Sequence, residues 1–262
     1  LCNTLALEAN AAAFVRVLDD QSLAQALDWG RAEGRSVLPL GEGSNVVFAA
    51  DVDALVVQIA SRGIERIAEH GERVTLRVAA GEDWHQLVQW TLRQGLYGLE
   101  NLALIPGTAG AAPIQNIGAY GVECEQFIRA VHATDIASGE AQCFGAAECA
   151  FAYRDSNFKG PWRDQLVITA VDLELSRRAR VNLSYPALAA ELRDVALPGP
   201  DDVCRAVIAL RKRRLPDPAQ EPNAGSFFKN PVVGAALVKR LTREFPGLPA
   251  YPQPGGFGKL PA

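Results

Sequence analysis

Two glycine-rich segments of the chain have the residue types that bind phosphate groups. The first is Gly41-Glu42-Gly43-Ser44-Asn45, and the second runs from Ile105-Pro106-Gly107-Thr108 to Gly121. Glycine permits backbone conformations with positive φ, in which successive N–H groups converge on an anion. Small side chains also let the backbone approach a ligand closely. Each segment alone is also compatible with a structural turn or a packed loop, but together they predict one long ligand that carries phosphates.

The first segment lacks the third glycine of a dinucleotide-binding fingerprint. Val46 stands in that place, and the run Val46-Val47-Phe48 favours a β-strand over the helix that a Rossmann fold requires. We therefore expect residues 41–45 to form a strand-turn-strand loop. That loop is either a nest of N–H groups or a simple hairpin turn.

Two other segments place a polar side chain where it could act on a ligand. Arg154 lies beside Asp155 in Tyr153-Arg154-Asp155-Ser156, and taken alone this is the pattern of a surface ion pair. Ser226 stands between Gly225 and two phenylalanines, which is not the G-x-S-x-G pattern of a hydrolase nucleophile. Neither segment defines a reaction by its residue types alone.

The cysteines, histidines and overall charge exclude several classes of function. The five cysteines contain no C-x-x-C pair and the three histidines no H-E-x-x-H pattern, so we expect no metal site and no disulfide framework. With 26 basic and 30 acidic residues the net charge is −4, which favours a small-molecule partner over nucleic acid. No apolar run is long enough for a membrane span, so we predict a cytoplasmic protein.

Strands outnumber helices in the pattern of apolar residues, and the two types are mixed without strict alternation. The predicted strands are 36–40, 46–48, 54–60, 73–80, 166–175 and 181–185. The predicted helices begin at Ser22, at Asp83 and at Asp201 or Asp202, and they end near Gly34, Gly95 and Pro216. Residues 98–123 form a long ordered loop of the kind that contacts ligands. These elements predict an α+β protein of at least two domains, with a boundary at 216–222.

Five segments in this order closely resemble the family of UDP-N-acetylenolpyruvoylglucosamine reductases. They are Leu-Gly-Glu-Gly-Ser-Asn (40–45), Gly-Leu-Glu-Asn-Leu-Ala-Leu-Ile-Pro-Gly (98–107), Pro-Ile-Gln-Asn-Ile-Gly-Ala-Tyr-Gly (113–121), Tyr-Arg-Asp-Ser (153–156) and Asn-Ala-Gly-Ser-Phe-Phe-Lys-Asn-Pro (223–231). The resemblance implies an FAD-binding fold of the vanillyl-alcohol-oxidase type with a separate α+β substrate-binding domain. The implied domains are two FAD-binding subdomains, 1–62 and 63–215, and the start of the substrate-binding domain, 216–262.

The resemblance also implies a reaction and its partners. NADPH would reduce FAD, and a hydride from the flavin N5 would then reach C3 of UDP-N-acetylglucosamine enolpyruvate, in the cytoplasmic stage of peptidoglycan precursor synthesis. Protonation at C2 would give UDP-N-acetylmuramate. The protein would act as a monomer.

The same resemblance assigns roles to individual residues. Arg154 would stabilise the enolate and Ser226 would donate the proton. The substrate-binding residues would be Tyr185, Arg214, Asn230 and Tyr251, with Arg214 standing where the family usually has lysine. The cofactor-binding residues would be Gly41, Glu42, Gly43, Ser44, Asn45, Ile105, Pro106, Gly107, Thr108, Gly110, Ala111, Ile114, Asn116, Gly118, Ala119, Tyr120 and Ile168.

A third catalytic residue of the family, a glutamate, would follow Ala262, and the chain contains no methionine. We therefore expect the chain to be part of a longer protein. Two alternatives stay open at this stage. One is an FAD-linked oxidase of alcohols or sugars with the same fold, and the other is a flavin-binding fragment without turnover.

Overall fold

The computed structural model describes residues 2–226 and 228–261 and divides into two compact units, Leu1–Asn223 and Ala224–Ala262. The strands are β1 Ala11–Val17, β2 Val37–Leu40, β3 Val52–Ile59, β4 Ile64–His70, β5 Arg73–Ala79, β6 Gly118–Ala119, β7 Val122–Glu123, β8 Ile128–Asp135, β9 Ala141–Gly145, β10 Leu166–Ser176, β11 Val232–Gly234, β12 Tyr251–Gln253 and β13 Phe257–Lys259. The helices are α1 Asp20–Ala32, α2 Trp84–Arg93, α3 Pro186–Glu191, α4 Pro200–Arg214 and α5 Ala235–Glu244.

The first unit is built on two main sheets, with a short two-stranded pair, β6-β7, beside them in the chain. A parallel three-stranded sheet has the order β1-β3-β2, and α1 packs on it through Leu23 and Leu27. A larger sheet has the order β4-β5-β10-β8-β9, and all of its neighbouring strands are antiparallel. Helices and sheets of both orientations therefore occur in one unit, as the predicted α+β class requires.

The core of the first unit lies mainly under the larger sheet. Buried residues of β5, β8 and β10 pack with α2 and α4, and Trp84 at the start of α2 is 1% exposed. The Trp84 indole N–H donates to the carbonyl of Leu102 at 3.0 Å, so its buried polar atom is satisfied. Asp83 caps α2, as predicted, because its carboxylate accepts from the N–H of Gln86 at 2.6 Å.

Two helices begin earlier than the sequence predicts. The N-cap of α1 is Asp19 rather than Ser22, because each of the two side chains accepts from the other residue's backbone N–H in a capping box. The N-cap of α4 is Gly199 rather than Asp201 or Asp202. Here the Asp202 carboxylate reaches back to the N–H of Gly199 at 2.9 Å. In both helices the predicted cap lies inside the first turn.

Two predicted strands are absent from the described residues. Residues 46–48 form no ladder, and Val47 is 54% exposed. Residues 181–185 are also irregular, because the Asn182 side chain donates to the carbonyl of Gly121 and accepts from the N–H of Ser184. These local hydrogen bonds replace the ladder that the alternating pattern suggested. Strands β1, β4, β8 and β9 of the two larger sheets were not predicted, nor were the short strands β6, β7, β11, β12 and β13.

The second unit holds the sheet β11-β13-β12 and the helix α5. Both strand pairs of this sheet are antiparallel. In residues 2–226 and 228–261, the helices fall short of the length and apolar content needed to cross a membrane.

Candidate functional site: two glycine-rich loops and a clamped arginine

The loop after β2 presents a row of backbone N–H groups. Within the described part of the chain, the N–H groups of residues 42–46 donate to no protein atom. Gly43 has φ +68°, and a Cβ at this position would lie 2.0 Å from the carbonyl oxygen of Cys2. Only glycine fits there. The loop is thus not the predicted strand-turn-strand hairpin, and its N–H groups are open to an acceptor such as an anion.

The second loop is tied to the junction between β5 and α2. The carbonyl of Gly107 accepts from the N–H of Trp84 at 2.9 Å, and the N–H of Ala109 donates to the backbone carbonyl of Glu82 at 2.8 Å. The N–H of Gly110 donates to the carbonyl of Ala80 at 2.9 Å, and a Cβ on Gly110 would lie 2.5 Å from the Cβ of Ala80. This close approach explains the glycine in packing terms.

The two glycine-rich loops meet, as the single-ligand hypothesis requires. A Cβ on Gly41 would lie 2.9 Å from Oγ1 of Thr108, and a Cβ on Gly107 would lie 2.9 Å from Oγ of Ser44. The Asn45 amide also donates to Oε1 of Gln115 at 3.1 Å. The small residues of both loops therefore bring their backbones side by side.

Glu42 lies at the meeting point of the two loops. Burial raises the pKa of its carboxyl, the negative charge of Asp83 raises it further, and a hydrogen bond from the N–H of Gly107 acts in the opposite direction. The carboxyl adds an acceptor beside the backbone N–H groups of this loop.

A cavity of about 450 Å³ opens beside these loops, which is within the range of small-molecule sites. Six of the predicted cofactor-binding residues line it: Gly41, Thr108, Gly110, Ala111, Ile114 and Ile168. Leu38, Phe158 and Trp162 supply an apolar wall. A smaller cavity of about 230 Å³ shares Gly41 and Thr108 with it and carries Arg16 and Arg62. N–H donors, cations and an apolar wall fit a ligand that joins phosphates to flat rings.

Arg154 is held on one edge of the second loop. Its guanidinium donates from Nη1 to the carbonyl of Asn116 at 3.3 Å and from Nη2 to the carbonyl of Gly118. The backbone of Arg154 is left-handed, with φ +55°, and its carbonyl accepts from Nζ of Lys159 at 3.0 Å. Its Nη1 lies 3.9 Å from Oε1 of Glu123, and it forms no ion pair with Asp155 within the described residues. The pairing of Arg154 with Asp155 on the surface is therefore wrong.

Asn116 joins the glycine-rich loop to the segment that carries Arg154. Its side chain is fully buried, accepts from the N–H of Glu125 at 3.0 Å and donates to the carbonyl of Ala152 at 3.1 Å. The residue has φ +44°, a conformation that asparagine tolerates better than most side chains. Asn116 thus acts on Arg154 through its backbone, and its amide holds the loop in place.

Three further predicted residues come together at the end of α4. The rings of Tyr120 and Tyr185 pack edge to face with centroids 5.2 Å apart. Burial raises the pKa of Tyr120, and the charges of Arg211 and Arg214 counteract that rise. Arg214 is the last residue of α4. A pair of aromatic rings and a cation therefore lie together at this point.

The remaining predicted residues are distributed along both units. Ser226 is exposed and follows Gly225, which has φ +64°. Asn230 is half-buried just before β11, and Tyr251 begins β12 with 41% exposure. In the first unit, Ile105 and Pro106 connect Leu104 to Gly107, and Ala119 lies in the short strand β6.

Sequence reasoning missed three polar side chains that hold this site. They are His85, Lys159 and Arg211. Arg211 lies in a run of four basic residues at the end of α4, where such charges commonly complement the helix dipole, and the histidines show no metal-binding pattern. His85 follows the predicted cap residue Asp83 by two positions, so the sequence could have placed it in the first turn of a helix.

Comparison with known proteins defines the class of the protein and then its family. The family described as FAD binding domain matches residues 11–144, and a solvent-stable cholesterol oxidase shares the fold at 15% identity, with a TM-score of 0.50 over 72% of this chain and 40% of that one. The protein is an FAD-dependent oxidoreductase of the vanillyl-alcohol-oxidase type of fold, as the sequence predicted.

The nearer relatives are more specific. A UDP-N-acetylenolpyruvoylglucosamine reductase of Pseudomonas putida is 46% identical over 99% of this chain and 77% of the relative. The crystal structure of the Thermus caldophilus reductase is similar with a TM-score of 0.64 and 25% identity, over 99% of this chain and 85% of that one. The chain belongs to the UDP-N-acetylenolpyruvoylglucosamine reductase family.

Proposed function

We propose that this protein reduces UDP-N-acetylglucosamine enolpyruvate to UDP-N-acetylmuramate with NADPH as the electron donor. The observation that carries the proposal is the 46% identity to the Pseudomonas putida reductase across nearly the whole chain. The reaction belongs to the synthesis of peptidoglycan precursors, so we also propose that the protein acts in the cytoplasm. We propose that it acts there as a monomer.

We further propose that the domains are residues 1–62, 63–215 and 216–262. The distribution of the sheets supports the first division, because β1-β3-β2 is drawn from residues 11–59 and the larger sheet from residues 64–176. The first two domains would hold FAD, and the third would begin the part that binds substrate.

The two glycine-rich loops would hold FAD. The N–H groups of residues 42–46 would bind its phosphates, and Ile168 with the apolar wall of the larger cavity would cover a ring system. When bound there, FAD would supply the hydride-transfer chemistry that links NADPH to C3 of the enolpyruvyl group.

Arg154 would bind the carboxylate of the substrate and stabilise the negative charge that develops on it. A guanidinium suits this task because its planar donors match a carboxylate. Here the carbonyls of Asn116 and Gly118 hold that guanidinium in place before the substrate arrives. A preorganised cation needs no reorganisation when the charge forms.

Ser226 would donate the proton that C2 receives. A hydroxyl is a weak acid near neutral pH, so this role requires a strongly basic acceptor, and an enolate carbon meets that requirement. Asn230 and Tyr251, from the same compact unit, would contact the substrate. In the first unit, Tyr185 and Arg214 would contact its nucleotide diphosphate.

The test is to identify the product that the full-length protein makes. The protein is incubated with FAD, NADPH and the enolpyruvyl sugar nucleotide under anaerobic conditions, and mass spectrometry follows the nucleotide. A gain of two hydrogens in the nucleotide, with one NADPH oxidised per product, is the expected result. No change in the sugar nucleotide, together with oxygen consumption on simple alcohols in a parallel aerobic assay, would assign the protein to the oxidases instead.

A further inference from the structure

The peptide groups on both sides of Leu104 are held by side chains from two different helices. The N–H of Leu104 donates to Nδ1 of His85 at 3.0 Å. The carbonyl of Leu104 accepts from Nε of Arg211 at 3.1 Å. Leu104 has φ +58°, a left-handed conformation that a branched side chain rarely adopts. Such a conformation persists only where its surroundings hold it.

The clamped residue is the entry to the second glycine-rich loop. His85 lies in the first turn of α2, which also holds the carbonyls of Leu102 and Gly107 through the side chain and backbone of Trp84. Residues 105 and 106 therefore connect Leu104 and Gly107, whose backbones are both held by hydrogen bonds. Their direction is set by the Leu104 peptide at one end and by Gly107 at the other.

We propose that His85 and Arg211 are positioning residues for the cofactor, because their clamp on Leu104 orients residues 105–108 toward FAD. This inference rests on the proposed function, in which this loop borders the cofactor. Neither side chain lines the two cavities described above. Both act through the backbone of Leu104.

The clamp requires a neutral imidazole. A protonated ring has an N–H at Nδ1 and loses the lone pair that accepts from Leu104. Burial lowers the pKa of His85 below its ordinary 6.5, Asp83 opposes this effect, and the positive charges of Lys212 and Arg211 add to it. Among residues 2–226 and 228–261, these three charges act on the ring, and the side-chain amide of Gln89 lies 3.1 Å from its Nε2. The clamp is thus intact near neutral pH and is lost on acidification.

The proposal predicts the effect of two substitutions of the same residue. Asparagine carries its Oδ1 close to the position of the histidine Nδ1, so His85→Asn keeps an acceptor for Leu104 but does not titrate. His85→Leu keeps the bulk and removes the acceptor. We expect His85→Leu to weaken FAD binding about tenfold at neutral pH, and His85→Asn to stay within about threefold of wild type.

The measurement is the dissociation constant of FAD, followed by flavin fluorescence between about pH 5 and 8. We expect wild-type affinity to fall on acidification, and the affinity of His85→Asn to change less over the same range. Arg211→Gln keeps a donor for the carbonyl of Leu104, whereas Arg211→Leu removes it, and this second pair tests the other half of the clamp.

The outcomes distinguish a failure of the clamp from a failure of the proposed function. A wild-type protein that binds no FAD contradicts the proposed function itself. If His85→Leu and Arg211→Leu both bind FAD with the wild-type dissociation constant and the wild-type dependence on pH, only the clamp is overturned. Should His85→Leu fail to fold, equal acid sensitivity in wild type and His85→Asn would still contradict the proposal.

Discussion

Arg154 is fixed by backbone acceptors on the neighbouring loop before any ligand binds. We predict that Arg154→Ala lowers the rate of sugar-nucleotide reduction by about 10²–10³-fold, the usual cost of removing a preorganised group that stabilises developing charge. Flavin reduction by NADPH should change little. Stopped-flow absorbance of the flavin measures both half-reactions.

The control for this prediction is Arg193→Ala. Arg193 is 77% exposed in its side chain and pairs with Asp194 on the surface. Arg193→Ala should keep both rates. Equal losses of both half-reactions in Arg154→Ala would show that Arg154 supports flavin binding rather than the enolate.

Ser226 has a narrower predicted role, the transfer of one proton. Ser226→Ala should slow product formation by about 10²–10⁴-fold, the range that general acid catalysis provides. Ser226→Cys keeps an acidic hydrogen and should recover part of that loss. Sugar-nucleotide turnover at the wild-type rate in Ser226→Ala would exclude this serine as the acid.

The glycines of the second loop act at the scale of the element. Gly110→Ala places a methyl group 2.5 Å from the Cβ of Ala80, so the loop must move away from β5. We expect FAD binding to weaken by at least about tenfold, because the loop then loses its alignment with residues 41–46. Gly145→Ala is the matched control, since its Cβ would meet only Glu148, at 3.4 Å. Equal FAD affinity in the two variants would contradict this account of the loop.

Asp172 links three strands of the larger sheet. Burial alone raises the pKa of its carboxyl, but hydrogen bonds from Arg77 at 2.8 and 2.9 Å and from His132 at 2.8 Å lower it overall from its ordinary 3.8. A lowered pKa means that the carboxylate stabilises the fold fully above about pH 4. That contribution is lost as the pH falls through the lower value of the folded state.

We therefore predict that Asp172→Asn destabilises the protein by about 1–3 kcal/mol near neutral pH. The difference from wild type should shrink as the solution is acidified below about pH 4. Urea unfolding at several pH values measures it. Asp194→Asn, at an 88% exposed side chain, is the control. A difference from wild type that stays constant down to pH 2 would disprove the linkage.

The sequence predicted those elements whose signals are local. Asp83 caps α2 as expected, and the apolar runs of β5 and β10 form strands close to the predicted bounds. The strand predicted at 46–48 was wrong because its β-branched residues have no strand to pair with. The strand predicted at 181–185 was wrong because the Asn182 side chain forms a local turn. Pairing partners are not encoded in a short window.

The candidate site was predictable to the same extent. Its glycines were predicted from residue type, since two backbones that approach closely require glycine. Arg154 was predicted from the family resemblance. The clamp by His85 and Arg211 was not, because the three residues are far apart in sequence and meet only at a left-handed leucine. No spacing rule predicts such a contact.

At the scale of the whole molecule, the loops proposed to bind FAD lie in the unit Leu1–Asn223, whereas Ser226 lies in Ala224–Ala262. The proposed function has two half-reactions that can be observed separately. Flavin reduction requires NADPH alone, and flavin reoxidation requires the enolpyruvyl sugar nucleotide.

An anaerobic titration of the full-length protein tests this central claim most directly. The absorbance of bound flavin is recorded while NADPH is added, and then while the enolpyruvyl sugar nucleotide is added. We predict that NADPH bleaches the flavin and that one equivalent of the sugar nucleotide restores its colour. A flavin that NADPH bleaches but that only oxygen restores would contradict the assignment as a sugar-nucleotide reductase.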